Sequence, residues 1–321
     1  MRWAMMLLLF SFPVWGAKVL LIESYHSEFE WDKSYVQGIQ DTLQQGIELE
    51  TYQMDTKRVP PSEYEKMAEL AFVKYIELNP DVVILGDDNA LKYMWPMIFD
   101  DPISVVFLGI NSNPREVFKD HQGQAKVTGV LERPLFVKTI GELKHFLSDK
   151  EMKVRIMFDS GVTSNIARQY IERQYLMIKH NLGVEIEIVS AGTKQEWQKN
   201  IVSAADENFS VIIVGLYQTL IDREGNNVPA DDVITWTHQN SELPVFAFWD
   251  FAVASDKAAG GVVLFGNSQG VMAGTLVNRI VNGESARSIP IQIGNQGKAI
   301  YSTSAMERWS MTPPEHWKPI D

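Results

Sequence analysis

The chain has 321 residues, a formal net charge of -12 at pH 7, six histidines and no cysteine. Its length suggests two domains, and 45% hydrophobic residues suffice for sizeable cores. The acidic balance argues against nucleic acid or anionic lipid as a partner, because phosphate groups call for clustered Lys and Arg. The missing cysteines exclude disulfides, thiolate metal sites, cysteine nucleophiles and a lipid anchor on an N-terminal cysteine.

Arg2, the apolar run 4–13 and the small residues Gly16 and Ala17 read as a signal peptide over 1–17. The run is too short for a bilayer span of roughly 20 residues, so it reads as a removed leader rather than an anchor. The mature protein is therefore expected in the periplasm, soluble and without a lipid anchor. Strands are then predicted at 18–22, 47–52, 81–85 and 103–108, with helices at 31–45, 61–78 and 89–99 between and after them. A strand at 127–131 and a helix at 136–147 follow, and the alternation restarts. Strands at 154–158, 184–189 and 211–214 alternate with helices at 164–181, 194–207 and 230–240. Strands at 245–248 and 262–265 and a helix at 269–281 end the series. The strands are continuous β-branched runs, as expected where helices cover both faces of a parallel sheet. The fold class is thus α/β, with two doubly wound parallel-sheet lobes separated near 127–135.

Ligands of doubly wound sheets sit beyond the carboxyl ends of the strands. In the first series those ends carry Ser24, Tyr25 and His26 with Trp31 beyond, then Asp88 and Asn89, then Asn111. In the second they carry Asp159 and Ser160, then Tyr217, then Trp249 and Asp250. These twelve residues combine flat aromatic faces with short hydrogen-bonding groups, a set that stacks on and orients a small polar molecule. Each also has a structural reading, since Asp and Asn after a strand commonly cap the next helix. The glycines at 86, 109 and 161 serve turns equally well. No pair of histidines has metal-site spacing, and no Walker loop or dinucleotide fingerprint is present, so neither a metal nor a cofactor is expected.

Several segments together resemble a known family. They are Ser24-Tyr25-His26 with Trp31, Asp55-Thr56-Lys57-Arg58, and the run from Pro80 to Asp88. Gly109-Ile110-Asn111, Thr128-Gly129-Val130, Phe248-Trp249-Asp250, Gly260-Gly261-Val262 and Asn282-Gly283-Glu284 extend the likeness over nearly the whole mature chain. The chain resembles ABC-transporter substrate-binding proteins of the type I periplasmic-binding fold. The branch in question includes aromatic-amino-acid binders and extracytoplasmic parts of sensor kinases. The resemblance implies two lobes joined by three crossings, closing on a ligand in the cleft between them. One lobe would be 18–128 plus about 264–284, and the other 129–263 plus about 285–321. It implies a monomer that hands a small-molecule ligand to an ABC permease, or alternatively presents it to a membrane sensor kinase.

For an amino acid, Asp88, Asp159 or Asp250 would face the ammonium group. Backbone N–H groups at the helix starts after Ser24, Asn89 or Ser164 would face the carboxylate. Tyr25, Trp31, Tyr217 and Trp249 would hold a ring or cation. The same set suits a sugar or nucleobase, whereas the excess of acids disfavours phosphate. A different reading comes from Gly266-Asn267-Ser268-Gln269-Gly270, which matches the G-x-S-x-G of a hydrolase elbow. Only His316 follows it, in a Pro-rich tail, so a cap by Asn267 or Ser268 with turn glycines is the better account.

Overall fold

The computed structural model describes residues 16–147, 151–294 and 296–321. Residues 1–15 of the expected signal peptide lie outside them. The first series comprises β1 (Ala17–Glu23), α1 (Glu30–Thr42), β2 (Ile47–Gln53), α2 (Tyr64–Leu78), β3 (Val82–Gly86), α3 (Asp87–Ile98), β4 (Ser104–Ile110), α4 (Pro114–Phe118) and β5 (Lys126–Glu132). The second comprises α5 (Phe136–Leu147), β6 (Lys153–Asp159), α6 (Val162–Glu172), α7 (Tyr175–Leu182), β7 (Glu185–Ala191), α8 (Lys194–Val202), β8 (Val211–Val214), α9 (Ala230–Asn240) and β9 (Val245–Ala247). The chain ends with β10 (Gly260–Val263), α10 (Gly266–Val281), β11 (Gln292–Gly294), β12 (Lys298–Tyr301), α11 (Thr303–Arg308) and β13 (Lys318–Pro319).

Two parallel sheets result, with orders β11-β5-β4-β3-β1-β2 and β7-β6-β8-β9, and a small sheet β10-β12-β13 flanks the second. The fold is the expected pair of doubly wound α/β lobes with a cleft between them. Its cause is the two-sided burial of the strands. Val19 and Leu21 of β1 join one core, while Leu20 and Ile22 on the opposite face join another. The second sheet repeats this, with Ile156 and Ile213 on one face and Met157 and Ile212 on the other. Among the described residues the chain passes between the lobes after Glu132, between Val263 and Gly266, and between Gly294 and Lys298.

The lobe boundaries read from sequence need correction. Position 128/129 falls inside β5, which continues through buried Val130 to Glu132 within the first sheet. Residues 292–294, placed with the second lobe, pair as β11 with β5, Gln292 opposite Val130. The helix expected over 164–181 is two helices, α6 and α7, interrupted at Arg173 and Gln174. Helix α10 begins three residues earlier than expected, at Gly266.

That early start has a packing cause. A Cβ at Gly270 would lie 2.0 Å from the Tyr35 carbonyl oxygen, and one at Gly266 would lie 2.7 Å from that of Trp31. On the facing helix, a Cβ at Gly38 would lie 2.3 Å from the Asn267 carbonyl oxygen. Glycine on both sides lets α1 and α10 approach backbone to backbone.

Candidate functional site

The loops at the carboxyl ends of the two sheets face each other. Tyr25 follows β1, Asp87 follows β3, Asn111 follows β4, and Glu132 ends β5. From the other lobe come Thr163 in the first turn of α6, Leu216 after β8, and Trp249 and Phe251 after β9. Together with Phe29, Trp31 and Lys57 these residues enclose an inner cavity of about 20 Å³. That volume is close to the minimum for one water molecule.

The cleft is held shut by direct contacts across it. The Tyr25 and Thr163 hydroxyls lie 3.1 Å apart, and the Trp249 indole N–H donates to Glu132 Oε1 at 2.7 Å. Phe29 meets Phe251 edge-on, with ring centroids 5.5 Å apart. Beyond this pair an outer cavity of about 460 Å³ is lined by His26, Tyr217, Gln218, Asn227, Asp231 and Lys257, among others. The two cavities share Phe29, Lys57 and Phe251 as walls.

Lys57 reaches the centre because its loop is docked on the first strand end. The backbone N–H groups of Asp55 and Thr56 donate to the carbonyls of Tyr25 and Ser24, both at 2.9 Å. Lys57 Nζ then lies 4.5 Å from the centroid of Tyr25 and 5.5 Å from that of Phe29, a cation–π position. It forms no ion pair among the described residues, although it is only 8% exposed.

Two carboxylates, Asp87 and Glu132, share the lining with it. Glu132 is 2% exposed, and burial pushes its pKa up to about 7, against the hydrogen bonds from Trp249 and Asn111 that oppose the rise. Asp87 adopts a left-handed φ of +67°, uncommon for a residue with a side chain. Gly109, itself at φ +68°, makes room for it, since a Cβ there would lie 2.9 Å from Asp87 Oδ1. Asp87 Oδ2 is buried without a hydrogen-bond partner. Burial first, then the charges of Asp32 and Glu132, hold the Asp87 pKa well above the ordinary carboxylate value.

Of the residues singled out from sequence, Tyr25, Trp31, Asn111 and Trp249 line the inner cavity, and His26 and Tyr217 the outer one. Ser160 lines a separate groove of about 670 Å³ that also reaches Lys57. Four others are occupied in holding backbone and line none of these spaces. Ser24 Oγ donates to the Gly86 carbonyl and accepts from the Ala90 N–H, and Asn89 Nδ2 donates to Thr56 Oγ1. Asp88 accepts from the N–H groups of Asn111 and Ser112. Asp159 accepts from the N–H groups of Gly161 and Thr219 and from the Ser164 hydroxyl. Asp250 folds back on itself, accepting from the Phe251 N–H at 3.0 Å, and burial raises its pKa to about 7. His26 Nδ1 lies 3.2 Å from Asp55 Oδ1, and burial lowers its pKa.

The residues of the inner cavity that sequence reasoning passed over are Phe29, Lys57, Asp87, Glu132, Thr163, Leu216 and Phe251. Three of them stand beside chosen positions: Asp87 beside Asp88, Leu216 beside Tyr217, and Phe251 beside Asp250. The G-x-S-x-G segment forms the first turn of α10, and no side-chain cap hydrogen bond comes from Asn267 or Ser268, contrary to expectation. Instead the Asn267 N–H donates to Ser34 Oγ of α1 at 2.8 Å. His316 pairs with Glu142 at 2.9 Å. Among the described residues no group of three or more His, Cys, Asp or Glu could hold a metal ion. None of the described helices is long and apolar enough to cross a membrane.

Residues 30–317 match the model of a family described as ABC transporter substrate binding protein. Among solved structures the chain is similar to an ABC domain from Streptococcus pneumonia in complex with L-Trp. That match has 16% identity and a TM-score of 0.69, covering 95% of this chain and 100% of the other. A conserved domain protein from Vibrio cholerae matches at 14% identity and TM-score 0.68, covering 95% and 99%. GanP, a glucose-galactose binding protein from Geobacillus stearothermophilus, matches at 12% identity and TM-score 0.60, covering 89% and 97%. At these identities the likeness is one of fold. No curated protein matches the chain.

Proposed function

The chain belongs to the ABC transporter substrate-binding protein family, and we propose that this member closes its lobes on a small amino-acid-like or aromatic ligand in the periplasm and delivers it to an ABC permease. Its role on this reading is binding without catalysis, as a monomer. The moving bodies would be 16–132 with 266–294, and 133–265 with 296–321.

One observation carries the ligand class. The lining of the inner cavity combines a basic group, Lys57, and two acidic ones, Asp87 and Glu132, with an aromatic wall of Tyr25, Phe29, Trp31, Trp249 and Phe251. A zwitterion bearing a ring, admitted once the lobes part enough to merge this space with the outer cavity, would match that wall, its carboxylate toward Lys57 and its ammonium toward Asp87. A neutral sugar would leave the buried Lys57 ammonium without a charged partner, which is unfavourable. The L-Trp in the Streptococcus structure is in keeping with this ligand class.

Closure follows from the division of the wall between lobes. Asp87, Glu132 and Lys57 belong to one lobe, Thr163, Trp249 and Phe251 to the other. A ligand touching both sets binds the closed form better and shifts the open–closed equilibrium by that difference. The permease would then read the closed shape. Titration calorimetry with the common amino acids and aromatic amines tests this. At least one should bind at one per chain, and Trp249→Ala should weaken it more than tenfold. If none binds, the ligand class is wrong.

A further inference from the structure

Four carboxylates converge behind the inner cavity from four elements. Glu23 ends β1, Asp32 lies in α1, Asp87 opens α3 and Glu132 ends β5, and none is more than 2% exposed. Their hydrogen bonding is unequal. Glu132 receives Trp249 and Asn111, and Asp32 has the Tyr35 hydroxyl and the Tyr25 backbone beside it, whereas Oδ2 of Asp87 has no partner. Asp87 faces the cavity, and Asp32 lies behind it, outside the lining.

The charged neighbours do not neutralise this group. Asp87 feels Asp32, Glu132 and Asp88 as like charges and Lys57 as the opposing one. Asp32 feels Glu23 and Lys57, and Glu132 feels Asp88 and Arg133. Asp88 already accepts two backbone N–H groups, and the Arg133 guanidinium donates to the carbonyls of Ile110, Asn111 and Glu132. Several desolvated carboxylates around one ammonium cannot all be ionised. Some hold protons, and a carboxyl with an unpartnered oxygen beside a cavity is placed to exchange its proton for another cation.

We propose that the Asp32–Asp87–Glu132 cluster holds protons while the cleft lacks a ligand, and releases at least one to solvent when a ligand ammonium seats against Asp87. This inference rests on the amino-acid-like reading above. It makes Asp87 the contact with the cation. Asp32 becomes a positioning residue: buried behind Asp87, it shares the cluster's proton load and so opposes ionisation of Asp87 until the ligand cation arrives. For an amine the net step moves one ligand cation in and one proton out, so the buried charge is unchanged; for an amino acid the carboxylate enters too and offsets the Lys57 charge.

The test titrates the protein with three probes: L-tryptophan, tryptamine and indole-3-propionate. Calorimetry at pH 6.5 in two buffers of different ionisation enthalpy counts the protons released, and titrations from pH 6 to 8 give the pH profile. Tryptophan or tryptamine should bind with about one proton released. Affinity should rise roughly tenfold per pH unit per proton over the range where the cluster still holds it. Asp32→Asn should flatten that rise without altering the cavity wall, and Asp87→Asn should weaken tryptamine more than tenfold. The wild-type proton count decides the matter however either variant folds. Cation binding with no proton release and a flat pH profile would overturn the exchange while leaving the solute-binding reading intact. Binding of indole-3-propionate alone, or of none of the three, would overturn the exchange and the ligand class together.

Discussion

Replacing Glu132 by Gln should make the ligand-free protein less sensitive to rising pH. Glu132 has its pKa pushed from 4.5 to about 7 by burial. Between those values the folded protein holds a proton that the unfolded chain has given up. Stability from this group is therefore full below pH 4.5 and falls as pH rises toward 7, because the unfolded state binds fewer protons. At roughly 1.4 kcal/mol per pH unit, the loss sums to about 3 kcal/mol. The variant has no such proton to lose. Its amide still accepts from the Trp249 indole N–H, but its NH2 meets Asn111 Nδ2, so a constant offset of about 1 kcal/mol in either direction is expected. The informative quantity is the pH dependence. Urea unfolding at pH 5 and pH 8 should show the wild type losing about 2–3 kcal/mol more than the variant between the two. Parallel losses in both proteins would show that Glu132 is ionised at both pH values, and the picture of a proton-holding cleft would fail.

Four further substitutions probe other parts of the structure. Tyr25→Phe removes the 3.1 Å contact with Thr163 across the cleft. It should favour the open form by about 1 kcal/mol, visible as a larger radius of gyration in X-ray scattering of ligand-free protein. Lys57→Met keeps the apolar stem but removes the charge. It should weaken a ligand carboxylate by roughly 10- to 100-fold and leave an amine without a carboxylate unaffected, as read by calorimetry. Gly270→Ala places a Cβ where the Tyr35 carbonyl stands 2.0 Å away. It should lower stability by about 1–3 kcal/mol in urea, whereas Ser268→Ala should leave binding unchanged.

Much of the fold was legible because its strands are apolar on both faces. Val19 to Ile22 and Val82 to Leu85 are entirely buried, and such runs flanked by amphipathic helices have few alternatives. The helices at 136–147 and 230–240 match α5 and α9 end to end. The C-terminal strands β11, β12 and β13 were not legible. They are two to four residues long and owe their state to distant partners, β5 for β11 and β10 for β12.

The candidate site was half legible, and the missing half has physical reasons. Strand ends pointed to Tyr25, Trp31, Asn111 and Trp249, since sheet topology brings those ends together. Sequence pointed to Asp88, whereas Asp87 lines the cavity, its left-handed backbone setting which neighbour faces that space. Sequence marks that only through Gly109, distant in the chain. Lys57 is on no strand end, and its place depends on the loop after β2 hydrogen bonding to Ser24 and Tyr25. Glu132 lies one residue past the expected end of its strand. The G-x-S-x-G pattern is explained by the close approach of α1 and α10, a tertiary cause that local pattern does not carry.

The central claim is that the cleft takes a small zwitterionic or cationic ligand. A thermal-shift screen of residues 18–321 against amino acids, amines, sugars and nucleosides tests it most directly. A ligand at a hundred times its dissociation constant adds roughly 2.7 kcal/mol, enough to raise Tm by several degrees. The account predicts shifts confined to amino acids or amines. A shift given by sugars or nucleosides alone would contradict it.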